Sequence, residues 1–237
     1  MKERSENILN ATVEGFIKIG EPISSGWLYR NHNFGIKPAM IRLELDDLTD
    51  AGYLDQPYHS AGRIPSDRGY EFFTTRILGD DSIKFSSQPK FENLMFRSDW
   101  PDFLEHFSDQ LGILSVLVDN SDQKIYKNGL DVLFEKISGY SREKIQEVIK
   151  DFEELDSRVE IFDDAPSQED INIFIGTKSP ITECPELSVI TQHFNDNHQH
   201  FTLMAIGPKR MDYKKIVGAF KGLKNNKTKI KPKNGGK

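Results

Sequence analysis

The sequence predicts an α+β protein: a winged helix-turn-helix head followed by a larger body of mixed strands and helices. Three observations carry that reading. Residues 1–78 hold three stretches with helical spacing of apolar residues. The run Gly52–Phe73 follows the third of them with a short extended piece and a Gly/Pro-shaped loop presenting Arg63 and Arg68. Beyond residue 99, strand-like apolar runs alternate with helix-like ones.

In the head, Ile8, Leu9, Val13, Phe16 and Ile17 share one face at helical spacing, which predicts a helix over residues 4–19. Gly20-Glu21-Pro22 ends it. Ser24 or Ser25 caps a second helix that runs to about Asn31 and buries Trp27 and Leu28. Phe34-Gly35 makes the turn. Pro38 suits the first position of a third helix, with Ile41, Leu45 and Leu48 on its core face and Gly52 closing it. A strand over Tyr53–Asp55 comes next. Pro57, Gly62, Pro65 and Gly69 are expected to exclude any long regular element up to Phe73. Helix, strand and Gly/Pro loop in this order set a wing beside a phosphate backbone, with the third helix in the major groove. Taken alone, the same stretch reads equally well as a surface loop with two arginines.

At about 100° per residue, the outward face of the third helix holds Ala39, Leu43, Asp46 and Asp50, flanked by Met40 and Arg42. Arg42 is the strong base-edge reader in this set. Met40 and Leu43 can pack on a thymine methyl but cannot form a bidentate hydrogen bond. Arg63 and Arg68 are the candidates for phosphate or minor-groove contact, His59 and Tyr58 for added hydrogen bonds to phosphate. Ser25 can serve as cap and phosphate contact together.

In the body, Trp100–Leu111 reads as a helix with Phe103, Leu104, Phe107 and Leu111 on one face. Ile113–Val118 reads as a buried strand that pairs with Ile125–Lys127 across a polar turn. Arg142–Leu155 is the clearest helix, with Ile145, Val148, Ile149, Phe152 and Leu155 three or four residues apart. Strands are expected at Ile171–Ile175, Leu187–Phe194 and Phe201–Ile206, and a closing helix at Tyr213–Leu223. From Lys224 onward the chain is Lys, Asn, Gly and Pro with almost nothing to bury, which reads as a disordered basic tail.

Composition narrows the function classes. No apolar run approaches the ~18 residues a membrane span needs, and the charged N-terminus is no signal peptide. A single cysteine, Cys184, rules out an internal disulfide and suits a reducing cytoplasm. The net charge of −6 is unevenly spread: −2 over residues 1–78, −14 over 79–207 and +10 over 208–237. The head is therefore not basic, which counts against strong non-specific DNA affinity. Asp196 lies among His193, His198 and His200, but these read as solvated loop residues rather than a metal site, and Cys184 as structural. No phosphate loop, nucleophile elbow or paired carboxylates appear, so neither an enzyme nor a cofactor is expected.

Several segments together resemble the HrcA family of bacterial heat-shock repressors. They are Glu21-Pro22-Ile23-Ser24-Ser25, Pro38-Ala39-Met40-Ile41-Arg42, Gly52-Tyr53-Leu54, and Gln56-Pro57 with Ser60-Ala61-Gly62-Arg63-Ile64-Pro65-Ser66 and Gly69-Tyr70. In the body, Ile175-Gly176, Leu187-Ser188-Val189-Ile190 and Gly207-Pro208-Lys209-Arg210-Met211-Asp212-Tyr213 resemble the family's GAF-like C-terminal region, as does Ile125–Leu130. The resemblance implies a cytoplasmic homodimer that binds an inverted-repeat operator of the CIRCE type ahead of chaperone genes, with the GroE chaperonin as a further partner. It implies the domains 1–78 (winged helix), 79–98 (linker), 99–223 (GAF-like sensor or dimerisation domain) and 224–237 (tail). Where the family has Ser, Thr and Asn, this chain has Lys37, Met40 and Leu43, so an altered operator is expected. The DNA-contact set is then Ser25, Lys37, Met40, Arg42, Leu43, His59, Arg63 and Arg68. A second reading makes the GAF-like half a ligand- or partner-sensing module whose head binds DNA weakly.

Overall fold

Burial of an apolar stripe on each helix organises the first part of the chain. The computed structural model describes residues 1–83, 93–95, 97–162, 170–195 and 200–227. Contacts divide the chain into two units, Met1–Gly79 with Lys209–Met211, and Asp80–Pro208 with Asp212–Lys237.

The first unit runs α1 (Glu3–Ile19), α2 (Ser25–Asn31), α3 (Pro38–Asp50), β1 (Leu54–Asp55), β2 (Ile64–Pro65) and α4 (Asp67–Leu78). Gly20 ends α1 in the left-handed conformation at φ 72°, its N–H donating to the Phe16 carbonyl. Ser24 caps α2 by accepting from the Trp27 N–H at 3.1 Å, so Ser25 is the first helical residue and not the cap. Leu28 is fully buried, whereas Trp27 is only half-buried, against expectation. Ile41, Leu45 and Leu48 of α3 pack inward with Ile8, Leu9 and Val13 of α1.

The largest departure from the sequence reading is α4. Gly69 and Pro65 were expected to keep this stretch irregular. Instead Ser66 caps a twelve-residue helix, accepting from the Gly69 N–H at 3.2 Å. Gly69 lies inside that helix because the carbonyl of Tyr53 passes so close that a Cβ there would lie 2.2 Å from its oxygen. The glycine is needed for close approach, not for a turn.

In the second unit, helices cover both faces of a five-stranded antiparallel sheet of order β4-β3-β7-β6-β5. Its strands are β3 (Leu114–Asp119), β4 (Lys124–Asn128), β5 (Asn172–Ile175), β6 (Leu187–Asn195) and β7 (His200–Pro208). The helices are α5 (Trp100–Leu111), α6 (Leu130–Ile137), α7 (Arg142–Glu153), α8 (Leu155–Ile161) and α9 (Tyr213–Lys227), with a 3-10 turn at Gly176–Lys178. One core gathers Leu114, Val116, Val189, Met204 and Ile206 from the sheet under Leu133, Ile137, Val148, Leu155 and Val159 from α6, α7 and α8. Alternation along the strands sends their other residues to the opposite face. There Phe103 and Phe107 of α5 stack, and Phe107 meets Phe220 of α9 edge-on. Burial on both sides leaves Leu187–Gln192 of β6 and Phe201–Pro208 of β7 buried throughout, and β7 reads as the more nearly apolar run of the two.

The predicted bounds of α5 are met at both ends. The expected helix Arg142–Leu155 divides after Glu153, and Leu155 begins α8. Two helices, α6 and α8, lay outside the sequence reading. Helix α9 continues through Lys227, so the expected disorder does not begin at Lys224. The rest of that tail (228–237) and much of the expected linker (84–92 and 96) fall outside the described residues, as do Asp196 and His198. Among the described residues no helix is long and apolar enough to cross a membrane.

Glu44 ties α1 to α3 from a position only 8% exposed. Its carboxylate accepts from Ser5 Oγ at 2.7 Å and from Arg4 Nε at 2.9 Å. The Ser5 hydrogen bond, helped by the Arg4 bond and charge and opposed by burial, holds its carboxyl below the usual range. A depressed folded value means the unfolded chain takes the proton more readily. The contribution is therefore complete above the ordinary carboxylate range and is lost as pH falls through that range to the folded value. Glu44→Gln is expected to cost about 1–2 kcal/mol at neutral pH by urea unfolding, with the gap to wild type closing in acid. A constant gap across that pH window would remove Glu44 from this role.

A second comparison tests the packing at Gly69. Gly69→Ala is expected to lower the melting temperature of the first unit. Gly79→Ala, whose nearest neighbours would be 3.8 Å away at φ −77°, should leave it unchanged or slightly raised. Equal melting temperatures would show that the Tyr53 carbonyl yields freely.

Candidate nucleic-acid interface

Helix α3 has one buried face and one free one, and its neighbours fix where the free face points. Pro38 supplies the first-turn geometry. Lys37 occupies the N-cap position without a side-chain cap bond, its carbonyl accepting from Met40 and Ile41 at 2.9 and 3.1 Å. The connection from α2 to α3 is braced by rings: Trp27 and His32 lie 5.8 Å apart, and His32 stacks on Phe34 at 5.6 Å. On the free face Lys37, Ala39 and Arg42 are exposed, Met40 is 44% exposed and Leu43 55%.

The hairpin β1–β2 is antiparallel, with Leu54 opposite Pro65 and Asp55 opposite Ile64. Its loop is internally bonded. Gln56 Nε2 donates to the carbonyls of His59 and Ala61 at 2.8 and 3.2 Å, and the Ala61 N–H donates to Tyr58 at 2.8 Å. This leaves the Tyr58 side chain 64% exposed and His59 exposed beside it.

Arg63 departs from its predicted role. Its guanidinium forms an ion pair with Asp46 and donates from Nε to Thr49 Oγ1 at 2.8 Å, leaving the side chain 11% exposed. Its backbone exchanges two hydrogen bonds with Ile23, both 2.8 Å. A group this engaged clamps the hairpin to α3 rather than reaching for phosphate. Arg68 is likewise not a loop residue: it stands in the first turn of α4. There Nη1 donates to the Ala51 carbonyl at 2.6 Å, and the guanidinium lies 4.3 Å from the Tyr53 ring centroid.

The fold thus leaves Lys37, Met40, Arg42 and Leu43 exposed along the first turns of α3, keeps Ser25 at the start of α2, commits Arg63 to internal contacts, and leaves Arg68 exposed while bonded to the Ala51 carbonyl. Two residues escaped the sequence reading: Tyr29, 51% exposed, and Arg30, exposed in the last turn of α2. Their signal was present, because with Leu28 inside, the two residues after it must turn outward on so short a helix.

Elsewhere, His193 Nδ1 is bonded to Thr202 Oγ1 at 2.7 Å and His200 is exposed. No group of three metal-ligating residues occurs among the described residues. Cys184 is buried, its N–H donating to Asp151 Oδ2 at 3.2 Å, and burial pushes its thiol up. That environment disfavours the thiolate.

These features define a two-unit α+β chain whose first unit pairs an outward-facing helix with a clamped hairpin. The model of the HrcA protein C terminal domain matches residues 72–217, and the chain belongs to the HrcA family. It is 47% identical over 78 residues to the heat-inducible transcription repressor HrcA of Moorella thermoacetica, a match covering 33% of this chain and 23% of that protein. It is 38% identical over 86 residues to the protein of that name from Symbiobacterium thermophilum, covering 36% and 25%. These matches span about a quarter of each relative's length. A crystal structure described as a hypothetical protein at 2.2 Å resolution superposes with a TM-score of 0.73, covering 97% of this chain and 98% of that one. At 15% identity it shows the shared fold.

The clamp separates stability from surface chemistry. Arg63→Ala is expected to destabilise the first unit by about 1–2 kcal/mol, because Asp46 and Thr49 lose their shared partner. Arg42→Ala, on the free face, should melt like wild type. Equal melting of all three proteins would mean the clamp carries no stability.

Proposed function

We propose that the chain is a cytoplasmic transcriptional repressor of heat-shock chaperone genes, acting as a homodimer on an inverted-repeat operator of the CIRCE type. In this reading residues 1–78 form a winged helix-turn-helix. Helix α3 enters the major groove and the hairpin is the wing. Residues 99–223 form a GAF-like body that pairs two copies or sets their spacing, residues 79–98 link the two, and the basic tail adds a salt-screened attraction for phosphate. The GroE chaperonin is the further partner that the family resemblance suggests.

The observation that carries this reading is the free face of α3 from Lys37 to Leu43, held beside a hairpin that Arg63 fixes in place. The relatives' name, heat-inducible transcription repressor, points the same way. On the free face Arg42 supplies the guanidinium suited to a guanine edge, and Lys37 a cation at the helix start where phosphate is favoured. Arg30, Tyr29, His59 and Tyr58 are the flanking candidates for backbone contact. An inverted repeat calls for two heads related by a two-fold axis, so a dimer follows from the proposed operator rather than from an interface seen here.

The test is titration of labelled inverted-repeat and scrambled duplexes with the full chain over a salt series. Preference for the repeat, reduced at least tenfold by Arg42→Ala, is the expected result, with sedimentation reporting two chains per duplex. Equal and steeply salt-dependent binding to both duplexes would mean that charge supplies the affinity and that a CIRCE-type operator is not the one this chain reads. A single chain per duplex would remove the dimer.

A further inference from the structure

We propose that α3 reads its half-site largely through thymine methyl groups, with Met40 and Leu43 as the residues that set the sequence. This rests on the DNA-binding reading above and specifies its chemistry. Scattered exposed apolar side chains are ordinary on a protein surface. These two stand three residues apart, so they are neighbours on one helix face, 44% and 55% exposed, with exposed Arg42 about 100° round the helix from Leu43 and exposed Lys37 one turn before Met40. An apolar pair bracketed by cations suits a surface that is negative at its rim and apolar at chosen points inside. The major groove has that character. Phosphates line it, and the thymine C5 methyl is the apolar group its base edges display.

The charge gradient along α3 limits how much of the helix can take part. Its second half carries Asp46, Asp47 and Asp50, of which only Asp46 is bound to Arg63 in this unit's hairpin clamp. Exposed Asp47 and Asp50 would meet phosphate repulsion, so contact falls to residues 37–43. That length is about 10 Å of helix, or about three base pairs. Within it Arg42 and Lys37 are the side chains able to donate to a guanine edge, and Lys37 stands at the helix start where phosphate is favoured. Where Met40 and Leu43 approach, a cytosine amino group would lose its water without gaining a partner, whereas a thymine methyl would be buried favourably. Side-chain chemistry therefore selects thymine at the bases facing these two residues.

The experiment begins with selection of a bound sequence from a random duplex pool by the full chain. Each thymine of the enriched site is then replaced by deoxyuridine, which removes the methyl and leaves base pairing intact. Expected is a loss of about fourfold in affinity for each contacted methyl, the factor that burial of one methyl-sized group carries. Leu43→Ala and Met40→Ala should each abolish the sensitivity at one position while melting like wild type. Equal affinity for thymine and deoxyuridine duplexes would overturn the proposal and leave DNA binding standing. No enriched sequence at all would overturn both. A changed sedimentation of the DNA-free protein on Leu43→Ala would assign the patch to a second copy of the chain, and the proposal would fail.

Discussion

Arg63 is the contact on which the first unit depends. Its backbone pairs with Ile23 just before α2, its side chain holds Asp46 and Thr49 on α3, and the residue after it begins β2. One residue therefore fixes the hairpin, the entry to α2 and the exposed helix in one frame. Backbone pairing alone would leave a hairpin of two-residue strands marginal. The side-chain clamp supplies the tertiary support, and it also neutralises one of three aspartates on the free side of α3. Gly62 belongs to the same junction, since a Cβ there would meet the Ile23 backbone at 2.5 Å. Arg63, which looks functional in sequence, is in this sense structural: it holds the hairpin against the helix that carries the exposed chemistry.

A different constraint shapes the second unit. A sheet with helices on both faces must bury most of its central strands, and β6 and β7 are buried except toward the end where they meet at Asn195 and His200. Several of the polar groups drawn into that interior are paired locally. Tyr213 donates to Ser188 Oγ at 2.9 Å, and Ser108 donates to the Asn128 carbonyl at 2.9 Å. Asp151 accepts from the backbone N–H groups of Glu183 and Cys184 at 2.9 and 3.2 Å and is ion-paired with Arg158. That last arrangement pins the segment leading into β6 to helix α7. A buried carboxylate with three donors is tolerable where one with none is not.

The elements legible in the sequence were those whose own periodicity is strong. Helices α1, α3, α5 and most of α7, and all five strands of the large sheet, follow from spacing of apolar residues within a short window. What failed depended on partners far away in the chain or on elements too short to show a period. Gly69 looks like a helix breaker until the Tyr53 carbonyl is beside it. Helix α6 has only eight residues after a left-handed Gly129 at φ 91°, and α8 only seven, too few for a clear period. At the candidate site, the outward direction of Met40, Arg42 and Leu43 followed from helix geometry alone. The clamp did not, because Asp46 and Arg63 are 17 residues apart and no spacing rule pairs them.

The charge distribution sharpens what the exposed helix face must do. Residues 1–78 carry a net −2, so the head gains little from releasing counterions when it meets DNA. Charges elsewhere in the chain act weakly beyond about 8 Å at physiological salt. The balance shifts to short-range contacts, where a guanidinium on a base edge and two apolar side chains on methyl groups discriminate without adding general attraction. A head built this way has a small non-specific background to compete against, so moderate contact energies suffice for preference. The same economy makes it sensitive to single exposed positions. In the proposed reading, the apolar side chains at residues 40 and 43 set which duplex is preferred, while the buried face of α3, and hence the fold, is independent of them.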